Sequence, residues 1–190
     1  TRGAELVVTT STDLADMGSI QWSLTGNFTD TKVTKIAAPP AQLAGASLFD
    51  LTSIGNLETT SPDYRFVLGA LWTWDKLSVN LKETLYGPAS RYDSRTGCPL
   101  PPGSTLPTCF KNKIDATFIT DLEISYKILE PVKVTIGANN LFNKYPDKLN
   151  PAYRNTFLTG NANGYVTQYP TFSSYGINGG YYYGKVAYTF

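Results

Sequence analysis

The chain has 190 residues, of which 42% are hydrophobic and 16% charged, and its net charge is +1. That length bounds about one domain, and the charge balance speaks against a nucleic-acid binder or a binder of acidic ligands. No apolar run approaches the ~18 residues of a membrane-spanning helix, and the absence of histidine removes the usual general base and the commonest metal ligand. The opening Thr1–Glu5 lacks the basic-then-apolar order of a leader, so the chain reads as a fragment or a processed product.

Taken in chain order, the elements are strands. A weak strand over about Ala4 to Thr10 opens the chain. In SIQWSLTGNFT, Ile20, Trp22, Leu24 and Phe28 oppose Gln21, Ser23, Thr25 and Asn27. DYRFVLGALWTW sets Tyr64, Phe66, Leu68, Ala70, Trp72 and Trp74 on one face, with Arg65, Gly69 and Thr73 on a less apolar one. KLSVNLKETLYG follows after a tight turn at Asp75-Lys76; Leu77, Val79, Leu81 and Leu85 alternate with Ser78, Asn80, Lys82 and Thr84, and Glu83 breaks the pattern. DATFITDLEISYK alternates again, with Ile119 and Thr120 out of pattern. PVKVTIGAN and the closing YYYGKVAYTF complete the set. Period two throughout predicts about seven strands, each with one greasy face, and no helix.

The connections alternate in length. They are short at 11–18, 75–76 and 130–131, and long at 30–62, 87–113 and 140–179. A soluble sandwich has no need of that alternation. A transmembrane barrel does, with short turns on the periplasmic side and long loops outside. With 75–76 as a periplasmic turn, Trp72, Trp74, Tyr126, Tyr188 and Phe190 fall at the inner interface, and Tyr64, Phe66, Tyr86 and Phe118 at the outer one. Two aromatic belts around an aliphatic band are expected of strands that face lipid, whereas scattered core aromatics are the alternative in a soluble sheet.

Cys98 and Cys109 lie in TGCPLPPGSTLPTCF, a Pro-, Gly-, Ser- and Thr-rich surface loop. Two cysteines closing a short loop favour a disulfide over two free thiols. Two thiolates without histidine leave a zinc site half-built, so no metal and no cofactor is expected. Nor is an enzyme, because there is no nucleophile elbow, phosphate loop or dinucleotide fingerprint. Asp121 and Glu123 share a strand face, where Lys133 or Lys185 nearby would balance them better than any catalytic role. The Asn27-Phe28-Thr29 sequon lies inside a strand.

VTIGANNLFNKYP, from Val134 to Pro146, carries Asn140, Leu141, Phe142, Asn143, Lys144 and Tyr145. It closely resembles the Asn-Leu-Phe segment near the C-terminus of TonB-dependent outer-membrane receptors. Gly3 and Glu5 resemble a strand start seen in such barrels, and the closing GYYYGKVAYTF resembles their last strand. Together these span nearly the whole chain. The family's tyrosine falls one place early here, and Lys185 stands where the terminal signal usually has glycine.

The resemblance implies an all-β antiparallel meander in which residues 1–190 are the C-terminal portion of a large transmembrane barrel of about 22 strands. The plug domain and the earlier strands would be absent. Residues 30–62, 87–113 and 140–179 would be extracellular loops, and Leu141-Phe142 would pack back onto the rim. The parent would sit in the bacterial outer membrane, contact lipid, and be driven by the TonB complex through its missing N-terminal part. It would take up a scarce solute, most often a ferric siderophore. Ligand-side residues in the loops would be Arg91, Tyr92, Arg95, Tyr153, Arg154, Tyr165 and Tyr169, by charge and stacking. Val186, Tyr188 and Phe190 would form the signal read by the barrel assembly machinery. A soluble β-sandwich binding carbohydrate and a passive porin are the alternatives.

Overall fold

The computed structural model describes residues 1–38, 40–43, 49–94, 98, 109–157 and 168–190. The alternating segments fold as expected into one antiparallel meander. Its strands are β1 (Arg2–Asp13), β2 (Ser19–Asp30), β3 (Tyr64–Trp74), β4 (Leu77–Tyr86), β7 (Thr117–Leu129), β8 (Val132–Asn139) and β9 (Tyr181–Tyr188). The seven run in the order β1-β2-β3-β4-β7-β8-β9. The first strand is longer than its sequence suggested, because Ser11, Thr12 and Asp13 continue the ladder opposite Gln21, Ile20 and Ser19.

The turn end is built tightly. Asp75 adopts φ 47°, which its short polar side chain tolerates. Gly18, at φ 81°, lies against β3 so closely that an added Cβ would run into the Thr73 carbonyl. The indole N–H groups of Trp72 and Trp74 donate to the carbonyls of Met17 and Asp16, each at 2.9 Å. The pair that reads as a membrane belt therefore also holds the first turn.

Register separates the two faces across the sheet. Trp22, Ala70, Leu81, Leu122, Ala138 and Tyr182 are direct cross-strand partners on one face. Ser23, Gly69, Lys82 and Asp121 are partners on the other. The apolar face is bare: Leu68 is 46% exposed, Ile136 60% and Val186 72%. Most of the shielded groups sit on the polar face, where Thr84 and Ser125 are each 2% exposed and Thr135 1%; on the apolar face the small Ala138 is shielded at 5%. Glu83 is a carboxylate among the leucines of the apolar face, and there it accepts the Thr120 hydroxyl at 2.7 Å. Glycines on the sheet seat aromatic rings; a Cβ on Gly137 would enter the Tyr183 ring and one on Gly26 would meet Phe66 at 2.8 Å.

The loop end is more ordered than the expectation of strands alone. Two short helices are present, α1 (Leu51–Glu58) and α2 (Pro151–Phe157), which corrects the reading of no helix. At 8 and 7 residues they are too short for a 3.6-residue period to stand out. Local chemistry starts them instead. The Asp50 carboxylate caps α1 by accepting the Ser53 amide at 2.8 Å, and a proline opens α2. Strands β5 (Ala89–Asp93) and β6 (Phe110–Ile114) pair in a small second sheet. They prolong the β4–β7 hairpin beyond a break at Gly87-Pro88 and Asp115-Ala116. The expected disulfide is present: Cys98 and Cys109 are bonded, with Cα atoms 5.4 Å apart, and Cys98 is fully buried.

Candidate functional site

Most of the described loop residues expected to meet a ligand are engaged by other side chains. Arg95 and Tyr165 lie outside the described residues. Arg91 is already engaged: its Nε donates to Asp93 Oδ1 at 2.8 Å and its guanidinium lies 4.9 Å from the Phe172 ring centroid. Tyr92, next to it on β5, points to the opposite face and lies under Lys111, 5.5 Å from its Nζ. Tyr153 packs edge-on against Phe110 at 5.9 Å, and Tyr169 stacks on Tyr145 at 5.2 Å. Arg154 lies in α2, where its amide closes the first turn by donating to the Asn150 carbonyl.

What these residues do bring together is the loops themselves. Asn112 is buried and bridges two segments: its Nδ2 donates to Asp93 at 2.7 Å and its Oδ1 accepts the Asn150 amide at 2.8 Å. On the other side, Thr59 and Ser90 exchange hydrogen bonds of 2.6 and 2.7 Å that fasten α1 to β5. Asp50 accepts the Cys98 amide at 2.9 Å while it caps α1. Burial pushes the Asp50 carboxyl up, but the Ser53 and Cys98 amides and the Ser53 hydroxyl together outweigh that, holding it below its ordinary value. The hairpin is thus tied to the 30–62 loop on one side and to the 140–179 loop on the other.

The segment around Asn140 forms a second joint. Asn140 stands at φ 54° and Asn143 at φ 52°. The Asn140 side chain closes on the backbone of Lys144, accepting its amide at 2.8 Å and donating to its carbonyl at 2.7 Å. Its own amide donates to Asp121 at 2.8 Å. Leu141 is gripped by β7 and β9, through Thr120 at 2.7 Å and the Tyr182 hydroxyl at 3.0 Å. Phe142 does not pack back onto the rim as expected; it is 67% exposed.

The polar face carries a separate group of side chains. Lys82 pairs with Asp121 at 2.7 Å, and the Tyr183 hydroxyl donates to Glu123 at 2.9 Å. These replace Lys133 and Lys185, the partners expected from the sequence. They line a polar notch of about 100 Å³ with Asn80 and Asn139. Nearer the loops, Arg65 and Tyr86 are direct cross-strand partners, and the guanidinium lies 5.1 Å from the Tyr86 ring centroid. Tyr86 in turn packs against Tyr175 at 5.5 Å. Burial, then the nearby Asp147 carboxylate, push the Tyr175 phenol up to about 12. Sequence reading missed this stack because Arg65 lies within a strand, whereas the search for ligand groups was confined to loops.

At the end of the chain, Val186 and Tyr188 extend the apolar face, and Phe190 packs edge-on against Tyr188 at 5.3 Å. The Thr189 amide is held by the Pro131 carbonyl at 2.9 Å. Strands β1 and β9 each pair on one side only, so the described sheet has two open edges. No cluster of potential metal ligands occurs among the described residues.

No protein-family model and no curated protein sequence matches the chain. Among solved structures it is similar to a mutant of the ferric enterobactin receptor PfeA from Pseudomonas aeruginosa, with a TM-score of 0.51 and 17% identity. The match covers 97% of this chain and 22% of that receptor, so the chain spans about a fifth of it. The likeness is one of fold.

Proposed function

We propose that residues 1–190 are the C-terminal portion of the barrel of a TonB-dependent receptor in the bacterial outer membrane. The receptor takes up a scarce solute, a ferric siderophore, with energy delivered through the TonB complex to parts of the protein outside this chain. One observation carries the reading: the seven-stranded sheet leaves its large apolar side chains on one face mostly bare and keeps most of its shielded side chains on the polar face. Such a sheet is stable where hydrocarbon covers the first face and a polar interior lies behind the second. A soluble carbohydrate-binding sandwich would lay a second sheet over that apolar face. The similarity to a receptor for a ferric siderophore supports the choice of solute and favours a receptor over a passive porin.

On this reading the apolar face meets lipid and the polar face lines the lumen. The turn end is periplasmic, and the segments 30–62, 87–113 and 140–179 are extracellular. Strand β9 closes the barrel and presents Val186, Tyr188 and Phe190 to the assembly machinery. Single cysteines in the full-length parent test the orientation. At Leu24, Leu68 and Ile124 they should react with a membrane-permeant lipid probe, and at Ser23, Asn80 and Glu123 with a water-soluble thiol reagent. Equal water labelling of both sets rejects the membrane reading. Growth of iron-starved cells on a ferric siderophore should require both the parent protein and TonB; growth without either removes the transport assignment.

A further inference from the structure

Between the two aromatic levels, the apolar face carries Glu83 and no other charged side chain among the described residues. Glu83 sits between Leu81 and Leu85 on β4, with Leu68 and Thr120 as its direct cross-strand partners. The Thr120 hydroxyl donates to its Oε2 at 2.7 Å, and no lysine or arginine among the described residues lies within ion-pair reach. One hydroxyl fills one acceptor position of a carboxylate that offers about four, and it leaves the charge uncompensated. Such a group facing hydrocarbon is costly, and a cation that brings N–H donors lowers the cost.

Beside this couple the same face is hollow. Leu122, Ile124, Ile136, Ala138, Leu141 and Tyr182 line a groove of about 310 Å³. Ala138 is small between its partners Leu122 and Tyr182, and Gly184, the partner of Ile136, leaves the next row open. The groove adjoins the carboxylate: Leu122 follows Thr120 on the same face of β7, and the Leu141 amide donates to the Thr120 carbonyl at 2.7 Å. Glu83 lies toward the loop end of β4, and the groove runs from that level toward the turn end. A carboxylate at the outer end with an apolar channel below it matches the order of an amphiphile, headgroup outward and chain inward.

We propose that Glu83, Thr120 and this groove form a binding site on the membrane face for one lipid whose headgroup carries a protonated primary amine. The ammonium donates to Glu83, and an acyl chain lies in the groove along Ile136, which is 60% exposed. A quaternary ammonium brings the charge without an N–H, and an anionic headgroup is repelled, so the site discriminates among lipids. The proposal rests on the membrane reading above and adds a lipid preference to it.

The experiment adds phosphatidylethanolamine, phosphatidylcholine or phosphatidylglycerol with identical chains to the full-length parent in detergent and counts retained lipid by native mass spectrometry. Wild type should retain phosphatidylethanolamine at a roughly tenfold lower lipid concentration than the other two, the step expected of a hydrogen bond to a charged group. Glu83→Gln keeps the shape and removes the charge, and it should abolish that preference. Gly184→Leu places a side chain in open space beside the groove and should weaken retention of all three lipids. Glu5→Gln, which removes a carboxylate from the polar face, should behave as wild type does. Heat-modifiable migration on gels verifies that each variant is assembled, and Glu83→Ala replaces Glu83→Gln if the latter is not. Equal retention of the three lipids by wild type, an unchanged preference in Glu83→Gln, or unchanged retention in Gly184→Leu refutes the site while the membrane reading stands. Retention of no lipid by wild type also refutes it. If that protein in addition stays monodisperse without detergent, the membrane reading falls with it.

Discussion

Asn140 shows how one residue can be both a turn former and a fastener. Its φ of 54° lies in the left-handed region, which costs an ordinary L-residue about 1–2 kcal/mol. Asparagine tolerates it, and here its amide group also bonds the backbone of Lys144 twice. Asn140→Ala should therefore lose two partly buried hydrogen bonds and gain backbone strain, a destabilisation of about 2–4 kcal/mol. Asn140→Gly loses the bonds without the strain and should cost less. Chemical unfolding of the assembled parent measures both, and equal costs would mean that the backbone conformation contributes nothing. The sequence pointed to this residue through the Asn-Leu-Phe resemblance and the known tolerance of asparagine for turns. It did not reveal the Lys144 clasp, because a side chain returning to a backbone four residues on leaves no pattern of polarity. Arg91 is engaged within its own strand: its partner Asp93 stands two residues away on the same face, where an ion pair competes with any ligand.

At the scale of elements, the strands were legible and the helices were not. Alternation is a repeated signal over 8–13 residues in each strand of the main sheet, so single exceptions such as Ile119 and Glu83 do not erase it. Helix α1 has one cap and two turns, and tertiary bonds hold it more than its own sequence does. The Cys98–Cys109 disulfide lies in that set of bonds, since the Cys98 amide and carbonyl meet Asp50 and Leu51. Replacing both cysteines by serine should destabilise the parent by at most about 3 kcal/mol. It should also speed amide exchange in α1 and β5 together while leaving β7 and β8 unchanged. Exchange confined to residues 98–109 would show that the disulfide secures only its own loop. The same joint should respond to acid. The Asp50 carboxyl is lowered in the fold, so its contribution is fully present above the ordinary carboxylate value and is lost as pH falls through the lowered one. Asp50→Asn should remove that acid response of α1 exchange and leave exchange at neutral pH faster than in wild type.

For the molecule as a whole, the unresolved requirement is closure. Strands β1 and β9 each have one unpaired edge, and in hydrocarbon an edge without partners leaves several backbone groups unsatisfied. On the receptor reading, further strands would have to pair with these edges before or while the sheet enters lipid, and β9 is the last element of this chain to offer one. Its end is anchored, because the Thr189 amide bonds Pro131 and Phe190 packs on Tyr188. On the receptor reading, that terminal ring has two candidate roles, an anchor at the membrane interface and a signal for the assembly machinery, and they predict different losses. An anchor contributes to the assembled state, so deleting Phe190 should lower its melting temperature while the amount in the membrane stays constant. A signal acts before that state exists, so deletion should lower abundance and leave the melting temperature of the assembled fraction nearly unchanged. The resemblance of GYYYGKVAYTF to the last strand of such receptors favours the second outcome. Quantifying heat-modifiable protein in outer membranes, and then its thermal transition, separates the two. Unchanged abundance with a lower transition would establish the anchor and reject the signal.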